Sequence, residues 1–141
     1  MNNKVLLVDD NEVMLEIIGD MLETENIAYH KCSGTQEAFE AIEKDIYSMA
    51  ILDINLKDGH GLDVLDGIKK RNQFTICYII TGAPKMHMLS EFIEHGADDF
   101  FAKGQMDMKH ILATVKSGFK KQEHWRNLFG LFGTDTQPQK Q

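Results

Sequence analysis

Two hydrophobic periodicities alternate along this chain, and the first consists of short, continuous apolar runs. Runs of this length that are rich in Val, Ile and Phe predict strands. Because these runs are continuous rather than interrupted by polar residues, both faces of each strand should be covered, as in a parallel sheet. The sequence therefore predicts buried strands at Val5–Val8, Met49–Leu52, Ile76–Ile80 and Phe100–Ala102, with a weaker one at Ile27–Cys32.

Apolar residues at helical spacing fill the segments between these runs. They recur at intervals of three and four positions, which is the stripe of an amphipathic helix. The clearest stripes are Met14, Ile17, Ile18, Met21 and Leu22, then Leu89, Phe92 and Ile93, and finally Met108, Ile111, Leu112 and Val115; weaker ones lie around residues 38–42 and 62–68. Five strands alternating with five helices predict an α/β sandwich with a parallel sheet and right-handed crossovers.

Length, charge and cysteine content narrow the class of protein. The 141 residues suffice for one domain with its own core. With 15 Lys and Arg against 22 Asp and Glu the net charge is −7, which argues against nucleic-acid binding because such binding depends on Lys and Arg. The apolar runs are too short to span a bilayer, and no signal-peptide pattern is present. Cys32 and Cys77 lack metal or redox spacing, so we expect free thiols and a cytoplasmic protein.

Polar side chains capable of chemistry follow the ends of the predicted strands. Asp9 and Asp10 follow the first strand, Asp53 the third, Thr81 the fourth, and Lys103 comes just after the fifth. The carboxyl ends of parallel strands meet at one edge of a sheet, where such folds bind ligands. Carboxylates gathered there repel one another unless a cation compensates, and Mg²⁺ prefers oxygen ligands. Together with a lysine and a hydroxyl, these residues predict phosphoryl transfer with a carboxylate as the nucleophile.

Four sequence blocks resemble the signature blocks of bacterial response-regulator receiver domains, which act in two-component signalling. The blocks are LLVDDN (Leu6–Asn11), ILDINLKDGHGLDVL (Ile51–Leu65), IITGA (Ile79–Ala83) and GADDFFAKG (Gly96–Gly104). The resemblance covers roughly residues 4–120. It implies a flavodoxin-like, doubly wound parallel sheet of five strands in the order 2-1-3-4-5, five helices, and a stand-alone regulator of the single-domain, chemotaxis type.

The resemblance implies the acceptor and metal roles residue by residue. Asp53 resembles the aspartate that accepts the phosphoryl group. Asp10 resembles the direct ligand of Mg²⁺, and Asp9 resembles the acid that reaches the metal through water. Asn55 occupies the position whose backbone carbonyl is a further ligand. Mg²⁺ is therefore the implied cofactor, held by these three acids and Asn55.

The resemblance also implies which residues complete the chemistry and transmit it. Thr81 matches the hydroxyl that contacts the phosphoryl group, and Lys103 matches the lysine that pairs with it. Such a domain catalyses only its own phosphorylation and dephosphorylation. Phe100 matches the switch aromatic, which turns inward as Thr81 moves. The signal is then read on the surface of the fourth helix, fifth strand and fifth helix, here roughly residues 85–120.

Three positions depart from the family pattern. Gly104 follows Lys103 where the family usually has a proline in a cis peptide; because a cis bond is strongly disfavoured without proline, we expect a different loop and a more mobile lysine. Lys57 replaces a frequent proline, which predicts a more flexible loop over residues 57–61. Phe100 replaces a common tyrosine, so hydrogen bonds through that hydroxyl are lost.

The C-terminal part extends beyond a typical receiver. We divide the chain into a receiver domain (residues 1–120), an aromatic helical extension (121–133) and a disordered tail (134–141). Trp125, Leu128, Phe129 and Phe132 form a stripe at helical spacing. The stripe either packs on its own domain or docks a partner or a second copy, and the sequence leaves both open. We expect no DNA-binding or enzymatic output module in this length.

Simpler interpretations and other functions compete with this one. Asp9 and Asp10 could merely cap the first helix, and Phe100 could be ordinary core. A haloacid-dehalogenase-like phosphatase would need an aspartate where Asn55 stands. A degenerate receiver that serves only as an interaction module would lack one of the reactive groups. A flavodoxin-like nucleotide binder would need a glycine-rich phosphate loop after the first strand, which is missing.

The partners follow from the resemblance. We expect a histidine kinase or a phosphotransfer protein as the phosphodonor, and an unidentified output protein as the target. We expect neither nucleic acid nor a membrane as a partner. A homodimer through the fourth and fifth helices, or through the C-terminal helix, is a further alternative.

Overall fold

A computed structural model describes the backbone of residues 2–105 and 107–132 and the side chains of residues 3–105 and 107–130. Within these residues, the strands are β1 Asn2–Val8, β2 Ala28–Cys32, β3 Tyr47–Asp53, β4 Asn55–Leu56, β5 Gly59–His60, β6 Ile76–Thr81 and β7 Asp99–Ala102. The helices are α1 Glu12–Thr24, α2 Thr35–Lys44, α3 Gly61–Arg71, α4 Met86–Glu94 and α5 Met108–Phe132, and a short 3₁₀ turn covers Lys103–Gln105.

A parallel sheet of five strands, in the order β2-β1-β3-β6-β7, forms the centre of the molecule. The short strands β4 and β5 pair with each other as an antiparallel hairpin outside this sheet. Counted along the central sheet alone, the order is 2-1-3-4-5, so the predicted flavodoxin-like arrangement is confirmed. The predicted fourth and fifth strands correspond to β6 and β7.

The two faces of the sheet are both covered, as the continuous apolar runs predicted. Side chains alternate across β1: Leu6 and Val8 join one core with residues of α2 and α3, whereas Val5 and Leu7 join a second core with residues of α1 and α5. Hydrophobic burial on both faces is the main stabilising contribution in such a sandwich. No helix in the described part of the chain has the length and apolarity needed to cross a membrane.

Two helical stripes differ in detail from the sequence prediction. In α1 the buried side includes Leu15, Ile18 and Leu22, while Ile17 is 42% exposed. In α4 only Phe92 is buried, and Ile93 is 57% exposed. The apolar faces of both helices are wider than their contact with the sheet, so the docking angle selects which residues are buried.

Helix α5 continues far beyond the sheet and packs on the end opposite the carboxyl edge. Gln122 is buried, and its Nε2 donates to the carbonyl oxygens of Ser48 (2.5 Å) and Phe74 (2.9 Å). The Phe74 ring lies 6.0 Å from the Trp125 ring and 5.0 Å from the Phe129 ring. The described part of the aromatic stripe therefore contacts its own domain. The Phe132 side chain and the tail 134–141, predicted to be disordered, lie outside the described residues.

The hydrogen bonds of Gln122 give a first prediction. Gln122→Ala removes a donor shared by a buried carbonyl and a partly buried one, so we expect the free energy of unfolding to fall by about 1–3 kcal/mol in urea denaturation. Glu123→Ala, at an exposed neighbouring position, is the control and should change it by less than about 0.5 kcal/mol. Equal effects of the two variants would contradict a structural role for Gln122.

Candidate functional site

Three carboxylates meet at the carboxyl edge of the sheet. Strands β1 and β3 are adjacent and parallel, with Val8 opposite Leu52, so the residues that follow each of these two lie side by side. Asp9, Asp10 and Asp53 each offer a carboxylate oxygen within 4.8 Å of the others. The structure thus brings together the three acids that the sequence placed at strand ends.

Two of these acids are buried, and a lysine from the neighbouring segment bridges them. Asp9 is 4% and Asp53 is 6% exposed. Lys103 Nζ lies 3.2 Å from Asp53 Oδ2 and 3.3 Å from Asp9 Oδ2. Lys103 reaches this position because it follows β7 directly in the 3₁₀ turn. A single ammonium cannot balance three carboxylates, so the site retains an excess of negative charge.

Burial and like charge shift the ionisation of the site. Burial first, and the nearby Asp9 second, raise the pKa of Asp53 from 3.8 to about 6, although Lys103 and the backbone N–H of Asn55 oppose the shift. Burial alone would lower the pKa of Lys103, but the charges of Asp9 and Asp53 outweigh it and hold that pKa above its usual value. Lys103 is therefore a firmly charged partner, and Asp53 is ionised at neutral pH.

The acid cluster fits a hard divalent cation. Asp9 Oδ2 is fully buried and accepts no hydrogen bond among the described residues, although it lies near the Lys103 ammonium. The Lys103 ammonium, 3.3 Å away, offsets part of the cost of burying this oxygen, but its single charge is shared with Asp53. Asp10 is only half-buried, which leaves its carboxylate accessible from solvent. Oxygen ligands arranged in this way suit Mg²⁺ with waters completing its shell.

Asp9 and Asp10 are not the cap of α1. The Asn11 side chain performs this function, with Oδ1 accepting hydrogen bonds from the backbone N–H of Val13 (3.0 Å) and Met14 (3.2 Å). Asp9 Oδ1 instead accepts from the backbone N–H of Asn11 at 2.9 Å. The simple capping interpretation of the acid pair is therefore wrong, and Asp10 remains available for another role.

Thr81 and Phe100 lie on the two strands beside the acids. Thr81 ends β6, is buried, and lies opposite Ala102, the residue before Lys103. Its Oγ1 accepts a hydrogen bond from the backbone N–H of Ala83 at 3.2 Å. Phe100 on β7 is half-buried and packs against the core shared with α2 and α3. Its rotation during switching stays a prediction.

Two segments border the site: the turn that contains Lys103 and Gly104, and the hairpin that follows Asp53. The peptide bond between Lys103 and Gly104 is trans, as expected where proline is absent; the greater mobility of Lys103 stays a prediction. Residues after Asp53 form the β4–β5 hairpin, which Gly61 closes by donating its N–H to the carbonyl of Ile54 at 2.8 Å. Asn55 is exposed, and the metal role of its carbonyl also stays a prediction.

Asp58 contributes to this region but was not among the site residues predicted from the sequence. Asp58, at the tip of the hairpin, accepts hydrogen bonds from the backbone N–H of Thr35 and Gln36 at the start of α2. The sequence feature that could have indicated this role is Gly34, because it precedes α2 at the position where a residue with a capping side chain is usual. A helix start without its own cap indicates that the cap comes from elsewhere in the fold.

Comparison with known proteins shows the family of this chain. The family model of the response regulator receiver domain matches residues 5–116, and the chain belongs to this family. The transcriptional regulatory protein SrrA of Staphylococcus aureus is 29% identical over 117 residues, which are 83% of this chain and 48% of that protein. The chain thus spans about half the length of the curated relatives it matches.

Solved structures show the same fold. A CheY-like receiver domain from Methanospirillum hungatei JF-1 superposes with a TM-score of 0.83 at 23% identity, covering 88% of this chain and 98% of that one. A two-component response regulator from Clostridium difficile gives a TM-score of 0.81 at 21% identity, covering 86% and 98%. The beryllofluoride-activated NtrC4 receiver domain dimer gives 0.78 at 27% identity, covering 85% and 98%.

The raised pKa of Asp53 gives a second prediction. Because the folded-state pKa, about 6, exceeds the usual 3.8, the folded protein binds more protons between these values, and the stability contributed by this group falls as pH rises through that window. Asp53→Asn should therefore be more stable than wild type by about 1–3 kcal/mol at neutral or higher pH without metal. The difference should shrink as the pH falls below 6.

Urea denaturation in a chelator at several pH values measures this difference. The control is Asp63→Asn, an exposed acid in the first turn of α3, for which no comparable pH-dependent gain is expected. If wild type were as stable as Asp53→Asn at all pH values, the charge of Asp53 would not destabilise the folded protein, and the prediction would be wrong.

Proposed function

We propose that this receiver domain is a signalling switch that accepts a phosphoryl group on Asp53, with Mg²⁺ held by Asp9, Asp10, Asp53 and the backbone of Asn55. The observation that supports this most strongly is the buried pair of Asp9 and Asp53 bridged by Lys103. Phosphoryl transfer depends mainly on positioning and charge neutralisation, and this arrangement provides both.

Each residue has a defined task in the proposed reaction. Asp53 is ionised above its pKa of about 6, so one of its carboxylate oxygens attacks phosphorus at neutral pH without a general base. As this O–P bond forms, the P–N bond to the donor's phosphohistidine breaks, and the imidazole leaves with the bonding electron pair. When bound, the metal ion neutralises charge on the transferred group. Lys103 already contacts Asp53 and pairs with the added phosphoryl oxygens. The Thr81 hydroxyl accepts from Ala83, which leaves its own proton available to donate to the phosphoryl group.

The phosphodonor in this proposal is a histidine kinase or a phosphotransfer protein, as the two-component family implies. The output is a change in protein binding through α4, β7 and α5. Two exposed apolar residues of α4 support this surface, since Met86 is 77% and Ile93 is 57% exposed. Phe100, which belongs to this surface through β7, is the residue proposed to link it to the site. A second copy of the chain is the alternative partner, and a cytoplasmic location is part of the proposal.

A phosphatase of the haloacid-dehalogenase type has little support. Such an enzyme needs a general acid two residues after its nucleophile, and here that residue is Asn55. An amide has no acidic proton to give to a leaving group. The site is therefore better suited to holding a phosphoryl group than to hydrolysing one from a substrate.

Intact-protein mass spectrometry after incubation with acetyl phosphate and Mg²⁺ tests the proposal. Wild type should gain one phosphoryl group, and Asp53→Asn should gain none. Asp63→Asn, which lies outside the acid cluster, serves as the matched control and should behave as wild type. An adduct of equal yield on Asp53→Asn would place the acceptor elsewhere.

Lys103→Ala tests charge neutralisation separately from the acceptor. Removing a preorganised cation from the reacting oxygens should slow phosphorylation on the order of 100-fold, as followed by the rate of adduct formation. Lys57→Ala, an exposed lysine in the neighbouring hairpin, should leave the rate nearly unchanged. A similar rate in Lys103→Ala and wild type would remove Lys103 from the mechanism.

A further inference from the structure

The hairpin that follows Asp53 is bound to the start of α2 through one side chain. Asp58 Oδ1 accepts a hydrogen bond from the backbone N–H of Thr35 at 2.8 Å, and its Oδ2 accepts from that of Gln36 at 3.2 Å. The Thr35 hydroxyl returns a hydrogen bond to the Asp58 carbonyl at 3.3 Å. One carboxylate thus satisfies two N–H groups that a helix start otherwise leaves unpaired.

Glycine at two positions makes this approach feasible. Gly34 precedes α2 in an extended conformation that any residue can adopt (φ −170°), so its backbone does not require glycine. A Cβ there would instead lie 2.8 Å from Asp58 Oδ1. A Cβ on Gly59 would lie 2.8 Å from Thr35 Cγ2. Both glycines therefore leave room for the contact between the hairpin and α2.

The base of the same hairpin lies in the acid site. Asn55, its first residue, donates its backbone N–H to the Asp53 carboxylate, and Gly61 closes the hairpin by its bond to Ile54. The hairpin thus contacts α2 at its tip and Asp53 at its base. The hydrogen bonds from α2 lower the pKa of Asp58, so its carboxylate is ionised at neutral pH and the hydrogen bonds at the tip are charge-assisted.

We propose that Asp58 is a positioning residue for the phosphorylation site: its contact with α2 holds the hairpin so that the Asn55 backbone stays beside Asp53. The inference rests on the proposed function for its consequence, but the contact itself can be tested without phosphorylation. The contact lies within the loop over residues 57–61, and the greater flexibility expected of that loop stays a prediction.

Two roles of Asp58, capping α2 and holding the hairpin, can be separated by moving the cap. Asp58→Ala removes both roles. The double variant Gly34→Ser/Asp58→Ala restores a side-chain cap within α2, in space that the carboxylate has vacated, but does not restore the link to the hairpin. Asp58→Asn keeps one acceptor for the link. Asp63→Ala, at an exposed acid of α3, is the matched control.

Hydrogen exchange of the metal-free protein is the first measurement. We expect Asp58→Ala and the double variant to exchange faster than wild type at the amide of Asn55, with Asp58→Asn in between and Asp63→Ala unchanged. The melting temperature should fall in Asp58→Ala and recover in the double variant. An NMR titration with Mg²⁺ should show about tenfold weaker binding in both.

The outcomes decide between the two roles. If the double variant regains the melting temperature, the exchange protection and the Mg²⁺ affinity together, Asp58 only caps α2 and the proposal is overturned. If wild type takes no phosphoryl group from acetyl phosphate but the exchange and affinity results hold, the proposed function fails while the positioning role of Asp58 stands. If wild type is phosphorylated and Asp58→Ala reacts at the same rate with unchanged exchange, the proposed function stands and the positioning role of Asp58 is overturned.

Discussion

The burial of two like charges side by side is the constraint on which the rest of this structure depends. Asp9 and Asp53 lie at the carboxyl ends of adjacent parallel strands, almost out of contact with solvent, and burial, followed by the nearby charge of Asp9, raises the pKa of Asp53 to about 6. Lys103 compensates part of that charge. The remaining imbalance destabilises the metal-free fold, and in the proposed function the same imbalance attracts the cation that then neutralises the incoming phosphoryl group. Stability and function are therefore in opposition at this edge.

The unfavourable charge is confined to the carboxyl edge of the sheet, and the contacts that stabilise the fold lie elsewhere. Both faces of the sheet are packed with apolar side chains, and α5 is anchored at the opposite end by Gln122 and by the rings around Phe74. Gly118 lets α5 approach the sheet closely, since a Cβ there would lie 2.6 Å from the Tyr78 hydroxyl. Contacts remote from the acids allow the site to remain strained without unfolding the domain.

The strand ends were predictable because side-chain chemistry and strand position are both local properties of the chain. Asp9, Asp10 and Asp53 could be grouped from their positions along the chain alone, since parallel strands present their carboxyl ends at one edge. The position of Lys103 was predicted in the same way, and the structure adds its distances to both acids. The helix stripes were less predictable, because α1 buries Leu15 and exposes Ile17. Which of these apolar residues is buried depends on the angle at which the helix docks on the sheet, and local periodicity does not determine that angle.

By itself, the sequence determined the order of the five helices and of the five strands of the central sheet, and the residues at the carboxyl edge of that sheet, because hydrophobic periodicity and the residues at strand ends can be read from consecutive positions. It did not predict the β4–β5 hairpin. Only the tertiary structure decided the contacts between distant segments. Asp58 meets the start of α2, 23 residues earlier, and Gln122 reaches Ser48, 74 residues earlier. Such pairs arise from the packing of whole elements, whose relative positions are set by the sum of many contacts rather than by any local pattern.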